Sequence, residues 1–453
     1  MSVKTFKNVN QYSLFLMYFI VFQPILDLLT TFSIVVLQID ATPGVIIRFA
    51  ITFTSALFIL FSAKDKENRK FLIYLLTLAL ALLAGLVVTY FTKEVRSMPE
   101  ELKAIAKIVY YVVMLLAYII AFKNLKKQHE KNKYFPKMIV YAVFIINAVM
   151  IIAKLTSTSI NSYMYMKNGQ SGWFFAGNEL GSLLAIIFPI IVWYSLTKID
   201  NLKQLYFWIP TVMTIYSLLL VGTKVGYGAV ILTLPAAVFA IVLEFFFNNK
   251  KSNKVYIANA IISIVLIGGV IFITPYMSVA SNTDVHVNYI KENEQTKTKE
   301  EKKKIKETSK KEQEKKAQID GLIFSGRDVY LERYKGFFEE APVSQKLFGM
   351  GYGGNYVDQP KTIEMDFYDI FYQFGIIGSL FMFLPLVYYA VKILIYLINN
   401  FKKMLDVKYI MIAVSLALGI GIAYIAGHIL TAPAVSIYFV SILGYLIVDL
   451  KIE

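Results

Sequence analysis

Apolar runs alternate with short polar breaks along most of this chain. A helix needs about 20 predominantly apolar residues to cross the hydrocarbon core of a bilayer. Runs of that order occupy 12–37, 44–62, 71–91, 105–122, 138–154, 178–196, 205–221, 225–247, 255–275, 376–398, 409–426 and 431–450. The pattern predicts an all-α polytopic membrane protein with about twelve transmembrane helices. Spans 1–9 form a membrane domain over 1–275, and spans 10–12 complete it over 376–453. One break is long: 276–375 is a large loop between helices 9 and 10. Inside it, 291–318 is a charged arm, with eleven Lys and seven Glu in 291–316. Apolar and aromatic residues return over 319–375, which is expected to be ordered.

Charge gives the orientation. With the N-terminus placed inside, the short inner segments hold 21 Lys and Arg and the short outer segments hold five. Short basic loops resist translocation, whereas long loops cross regardless of charge. The expected location is therefore the cell membrane, with N- and C-termini cytoplasmic and the large loop extracytoplasmic. Most of the formal charge of +15 serves topology, so the bilayer is the expected partner and nucleic acid is not. The first run is too long for a signal-peptide core and carries Gln23, Pro24 and Asp27, so it reads as a span. Cysteine is absent, which excludes disulfides and thiolate chemistry. The three histidines, His129, His286 and His428, are too scattered to argue for a metal site, and no metal or cofactor is expected.

Polar groups within spans are costly and usually face a cavity or a partner. Arg48 and Asp27 lie near the outer ends of spans 2 and 1, and either pair structurally or line an outward-facing anionic site. Glu244, near the inner end of span 8, reads as a snorkelling acid. In Gly172–Gly181, GWFFAGNELG is either an aromatic belt with a helix cap or a segment that turns Asn178 and Glu179 towards a site. Lys224 sits in a tight turn, GTKVG, and is either solvated or aimed at a phosphate. The loop carries Arg327-x-x-x-Leu331, then Gly349, Gly351, Gly353 and Gly354, then Glu364 eleven residues before Gly375-x-x-Gly378.

In order and topology these elements resemble the O-antigen ligase and Wzy-type polymerase superfamily, in its polymerase-like branch. Members are similar in having about twelve spans, a large outer loop with Arg-x-x-x-Leu, a Gly-x-Phe-x-x-x-Asn segment, and a closing pattern of His, a polar residue, nine residues and Gly-x-x-Gly. Here Glu364 and Met365 stand where the histidine and the polar residue fall, and Lys224 where ligases often carry an arginine. The resemblance implies transfer or polymerisation of glycan from a polyprenyl-diphosphate-linked donor onto a glycan or envelope acceptor hydroxyl, without metal. It also implies other polysaccharide-assembly membrane proteins as partners. Departure of a lipid diphosphate builds negative charge, for which Arg327 is the first choice of partner, with Lys224 and Arg48 behind it. A base must take the acceptor proton; Glu364, its pKa raised by partial burial, is the first choice, and Asp366 or Asp369 could replace it. Asn178, Glu179 and Asp369 are the candidate substrate contacts. The competing class is a twelve-span transporter or lipid-linked oligosaccharide flippase, against which stand the lack of a visible six-plus-six repeat and the polar content collected outside.

Overall fold

In hydrocarbon, backbone N–H and C=O groups have no water to bond, so apolar runs close their hydrogen bonds internally as helices. Residues 3–39, 42–163, 167–247, 251–285 and 326–452 are described by a computed structural model; the charged arm 291–318, the segment 319–325 and His286 lie outside the described residues. Among the described residues twelve helices are long and apolar enough to cross a membrane, as the hydropathy pattern predicts. Nine α-helices are described before the long loop: α1 (Val3–Val35), α2 (Pro43–Ser62), α3 (Lys66–Thr92), α4 (Met98–Lys127), α5 (Phe135–Leu155), α6 (Gly177–Lys198), α7 (Ile209–Val221, lengthened at its start by a 3-10 helix, Leu202–Trp208), α8 (Lys224–Phe247) and α9 (Asn253–Ile273). The loop contributes α10 (Arg327–Glu340) and α11 (Val343–Phe348). The chain then continues through α12 (Asp366–Asn399), a short α13 (Phe401–Met404), α14 (Val407–Ile425) and α15 (Pro433–Leu450). Proline opens α2, α4, α5, α7 and α15 within the first two positions, where its missing N–H has no helical partner to lose.

Burial separates interior helices from lipid-facing ones. The most apolar stretches of α4, α6 and α15 are 78%, 89% and 89% buried, against 11%, 17% and 17% for α3, α9 and α12. The outer set presents Leu80, Phe91, Phe272 and Leu384 outward, as a bilayer solvent permits. Buried tyrosines tie the interior together: Tyr111 donates to the Met382 carbonyl at 2.6 Å, Tyr118 to Leu16 at 3.0 Å and Tyr438 to Ile20 at 3.2 Å. Each hydroxyl thus meets a carbonyl of another helix, which removes the cost of burying it. Glu244 does not snorkel. It is buried and accepts from the Tyr256 hydroxyl at 3.3 Å and the Val407 N–H at 3.4 Å, supplying an acceptor for an orphan donor at the start of α14.

The helix of the tenth span, α12, begins at Asp366, ten residues before the expected start of that span, and breaks at Gly375 (φ 64°, ψ −168°). The break frees the carbonyls of Tyr372 and Gln373, which accept from Met350 N–H at 3.0 Å and Gly351 N–H at 3.2 Å. A Cβ on Gly349 would collide with the Gln373 carbonyl, and one on Gly375 with the Gly349 amide, so both positions need glycine for this backbone approach. The glycine run is therefore a docking seam. Its grip is strengthened by Lys93, whose ammonium lies 2.7 Å from Glu101 and 2.5 Å from the Tyr352 carbonyl, while Glu101 accepts the Tyr352 N–H at 2.7 Å. Above the seam Tyr334, Met350, Ile363, Met365 and Tyr372 form a small second core. Residues 326–365 of the loop are thus fastened to the membrane domain, which fixes Arg327, Lys361 and Glu364 in place.

Candidate active site

Arg327 is the first residue of α10, which starts after Gly326 in a left-handed conformation (φ 85°). Four residues on, Leu331 lies on the same helix face and packs against the second core. The Arg-x-x-x-Leu spacing thereby pairs a cation with the anchor of its own helix. Arg327 Nη2 lies 3.3 Å from Glu364 Oε2, and Lys361 Nζ lies 2.7 Å from Glu364 Oε1. Arg327 Nε is buried without a partner among the described residues. Glu364 itself adopts φ 63°, a strained conformation for a side-chain-bearing residue. Asp369 holds it there by accepting from the N–H groups on either side, Ile363 at 2.8 Å and Met365 at 3.1 Å.

A second strained residue, His428 (φ 67°), comes from the short connection between α14 and α15. Asp366 organises that connection. Its fully buried carboxylate accepts four hydrogen bonds: His428 N–H at 2.9 Å, Ile429 N–H at 2.7 Å, Leu430 N–H at 2.7 Å and the Thr431 hydroxyl at 2.6 Å. The His428 ring keeps a buried Nε2 with no partner among the described residues. Thus two adjacent carboxylates on the first turn of α12 position two different strained residues, His428 and Glu364.

Arg327, Lys361, Glu364 and His428 line a cavity of about 920 Å³, together with Asn178, Lys167 and Lys224. By chain parity, all of these residues belong to the membrane face that carries the loop. Below them the lining turns apolar, with Ala229 and Leu232 from α8 and Leu418 and Ile422 from α14. Leu232 is 59% exposed, so the groove between α8 and α14 reaches the lipid-facing surface. The described lining holds four cations, Lys167, Lys224, Arg327 and Lys361, against one carboxylate, Glu364. Burial and the nearby Arg327 charge hold the Lys167 ammonium below its ordinary pKa. Such like-charge crowding is relieved by a bound anion.

The chain matches the family model described as O-antigen ligase like membrane protein over residues 9–453. It belongs to that family. A search of curated proteins finds no match. Membership makes it a multi-pass membrane protein of a glycan-assembly family.

Against that membership, the sequence-predicted residues divide into three groups. Arg327, Lys224, Glu364 and Asn178 share the 920 Å³ cavity. Asp366 and Asp369 do not line it; their oxygens are occupied by backbone and hydroxyl donors, so neither is placed to serve as a replacement base. Arg48 and Glu179 line a different cavity, of about 380 Å³, where Arg48 binds Asp27 at 2.5 Å and Gln23 at 3.1 Å. The expected upward shift of Glu364 is also reversed. Burial pushes its carboxyl up, but the Lys361 hydrogen bond and the Lys361 and Arg327 charges outweigh it and leave Glu364 below the ordinary glutamate value. In the family member at hand, the position matching the motif histidine thus carries an ion-paired acid, and a histidine from another connection faces the same cavity. Nothing in the local sequence around His428 marks it; the signal is the partnership with Asp366, which only the fold reveals.

Proposed function

We infer that the chain transfers or polymerises glycan from a polyprenyl-diphosphate-linked donor onto an acceptor hydroxyl at the outer face of the cell membrane, in cell-surface polysaccharide synthesis. The observation that carries this reading is the composition of the 920 Å³ cavity: a cationic head of Arg327, Lys167, Lys224 and Lys361 above an apolar groove between α8 and α14. A diphosphate head on a polyprenyl tail has the same division of charge and hydrocarbon. In this reading Arg327 engages the diphosphate through its unpartnered Nε and its second face, and Lys224 and Lys167 add point charge. The acceptor oxygen forms its bond to the anomeric carbon as the bond from that carbon to the phosphate oxygen breaks. The electron pair leaves with the diphosphate, whose growing charge the cations stabilise. His428 Nε2 takes the acceptor proton. Glu364, held ionised between Arg327 and Lys361, orients both cations.

Purified protein supplied with polyprenyl-diphosphate oligosaccharide, without nucleotide sugar, is expected to release polyprenyl diphosphate and form a new glycosidic bond, read by mass spectrometry. Carrier movement across the membrane of liposomes with no new bond would overturn this reading in favour of a flippase.

A further inference from the structure

The second cavity shares two walls with the first. On the opening turns of α6, Asn178 and Ser182 line the large cavity while Glu179 and Leu183 line the small one. Along the connection into α15, His428 lines the large cavity and Thr431 the small one, and Asp366 ties the two residues together. The two spaces are therefore separated by single turns of chain on one membrane face.

Their chemistry differs. The small cavity carries Arg48 and Lys107 against Asp27 and Glu179, so its charges balance and an anion gains no net attraction. Three of its hydroxyls have no partner among the described residues: Thr30 Oγ1, Thr42 Oγ1 and Tyr110 Oη, the last two on residues only 2% and 1% exposed. Buried hydroxyls without partners cost stability, and all three residues line a space of about 380 Å³, within the usual range of small-ligand sites, about 300–1,000 Å³. Phe49, Phe174 and Phe175 complete the lining with aromatic surface. Hydroxyl donors and acceptors, carboxylates and aromatic surface in a charge-balanced pocket match a polyhydroxylated ring, whose apolar face packs on aromatic carbon and whose hydroxyls bridge polar groups.

We propose that this second cavity is a saccharide site, holding the sugar that supplies the incoming hydroxyl so that this hydroxyl crosses the α6 and His428 wall into the large cavity. The proposal rests on the glycan-transfer reading for its role, but saccharide binding is measurable without turnover. Thr42 and Tyr110 contribute hydroxyl contacts, and Glu179 accepts from the ring hydroxyls.

The test uses the full chain in lipid nanodiscs, with maltotriose, chitotriose and a galactose-containing trisaccharide as probes, read by saturation-transfer NMR with and without undecaprenyl diphosphate. At least one trisaccharide is expected to bind, and to remain bound when undecaprenyl diphosphate fills the large cavity. The Thr42→Val/Tyr110→Phe double variant is expected to weaken that binding roughly tenfold or more and to leave undecaprenyl diphosphate affinity unchanged. Glu179→Gln, a near-isosteric change, is expected to weaken it in the same direction and serves if the double variant misfolds. The proposal is overturned if no trisaccharide binds, if undecaprenyl diphosphate displaces the sugar, or if folded variants bind as wild type does. Trisaccharide binding in a protein that does not bind undecaprenyl diphosphate would leave this site standing and sink the donor reading instead.

Discussion

Two arginines, each paired with a carboxylate on the same membrane face, occupy opposite kinds of environment. Arg48 is held at 2.5 Å from Asp27 and at 3.1 Å from Gln23, in a cavity where acids and bases balance. Arg327 sits 3.3 Å from Glu364, keeps an unpartnered Nε, and shares its cavity with three lysines. The lesson is that an ion pair near the membrane surface is not informative by itself. What separates a strut from a ligand-binding group is the remaining donor capacity and the net charge around it. Arg48 has a short bond to its carboxylate and a second partner, so it braces α1 against α2. Arg327 holds donors in reserve beside a carboxylate already shared with Lys361, which is why the proposed function assigns the diphosphate to it.

The comparison can be broken most severely at the chemistry itself. His428→Gln is expected to lower turnover by roughly 10²- to 10⁴-fold, the scale of a lost general base, with donor affinity unchanged in a binding assay. Unchanged turnover would remove His428 as proton acceptor. Arg327→Ala is expected to lower turnover by roughly 10²- to 10³-fold, the effect of losing one donor to a developing charge. Arg327→Lys should recover part of it, because a lysine restores the charge but not the planar fork.

Arg48→Ala should behave differently. It leaves Asp27 without its cation and is expected to cost about 3–5 kcal/mol of stability, as breaking buried pairs does, read as a lower melting temperature in nanodiscs. Undecaprenyl diphosphate affinity should stay near wild type in the fraction that folds. Weakened carrier binding in folded Arg48→Ala would erase the distinction between the two arginines.

The smallest effect is expected at Glu364. Because its pKa is depressed in the folded protein, the stabilisation it contributes is fully present above the ordinary glutamate value and is lost as pH falls through the lower folded value. Wild type should therefore melt above Glu364→Gln near neutral pH, and the two curves should converge in the range below about pH 4. Turnover of Glu364→Gln should fall by less than about tenfold, since Arg327 and Lys361 lose an orienting partner but keep their charge. A gap in melting temperature that widens on acidification would reverse the sign of this assignment.

These contrasts mark what the sequence could convey. Span positions were legible because hydrocarbon imposes one length and one composition on every crossing helix, and the twelve expected runs correspond to twelve apolar helices. Arg327, singled out by its spacing to Leu331, and Lys224, singled out by its position between two spans, both line the large cavity. Which side of a helix faces which cavity was not legible. Asn178 and Glu179 are neighbours in sequence and line separate spaces, because successive residues project about 100° apart around a helix. Depth in the membrane likewise placed Arg48 at the right level but could not place it around the bundle. The place of His428 in the cavity wall was not legible either, because its backbone is held by Asp366, 62 residues earlier, and no local pattern encodes a bond of that length. The glycine run, which without a helix behind it is no phosphate loop, is the seam that docks the loop on the break at Gly375.

The central claim is that the lipid diphosphate binds at Arg327 and not at Arg48. A structure of the full chain in nanodiscs with undecaprenyl diphosphate bound tests this most directly. The expected result is diphosphate oxygens at hydrogen-bonding distance, about 2.7–3.2 Å, from Arg327 and Lys224, with the polyprenyl chain lying between α8 and α14. Diphosphate seated against Arg48 in the smaller cavity, with the groove between α8 and α14 empty of lipid, would contradict it.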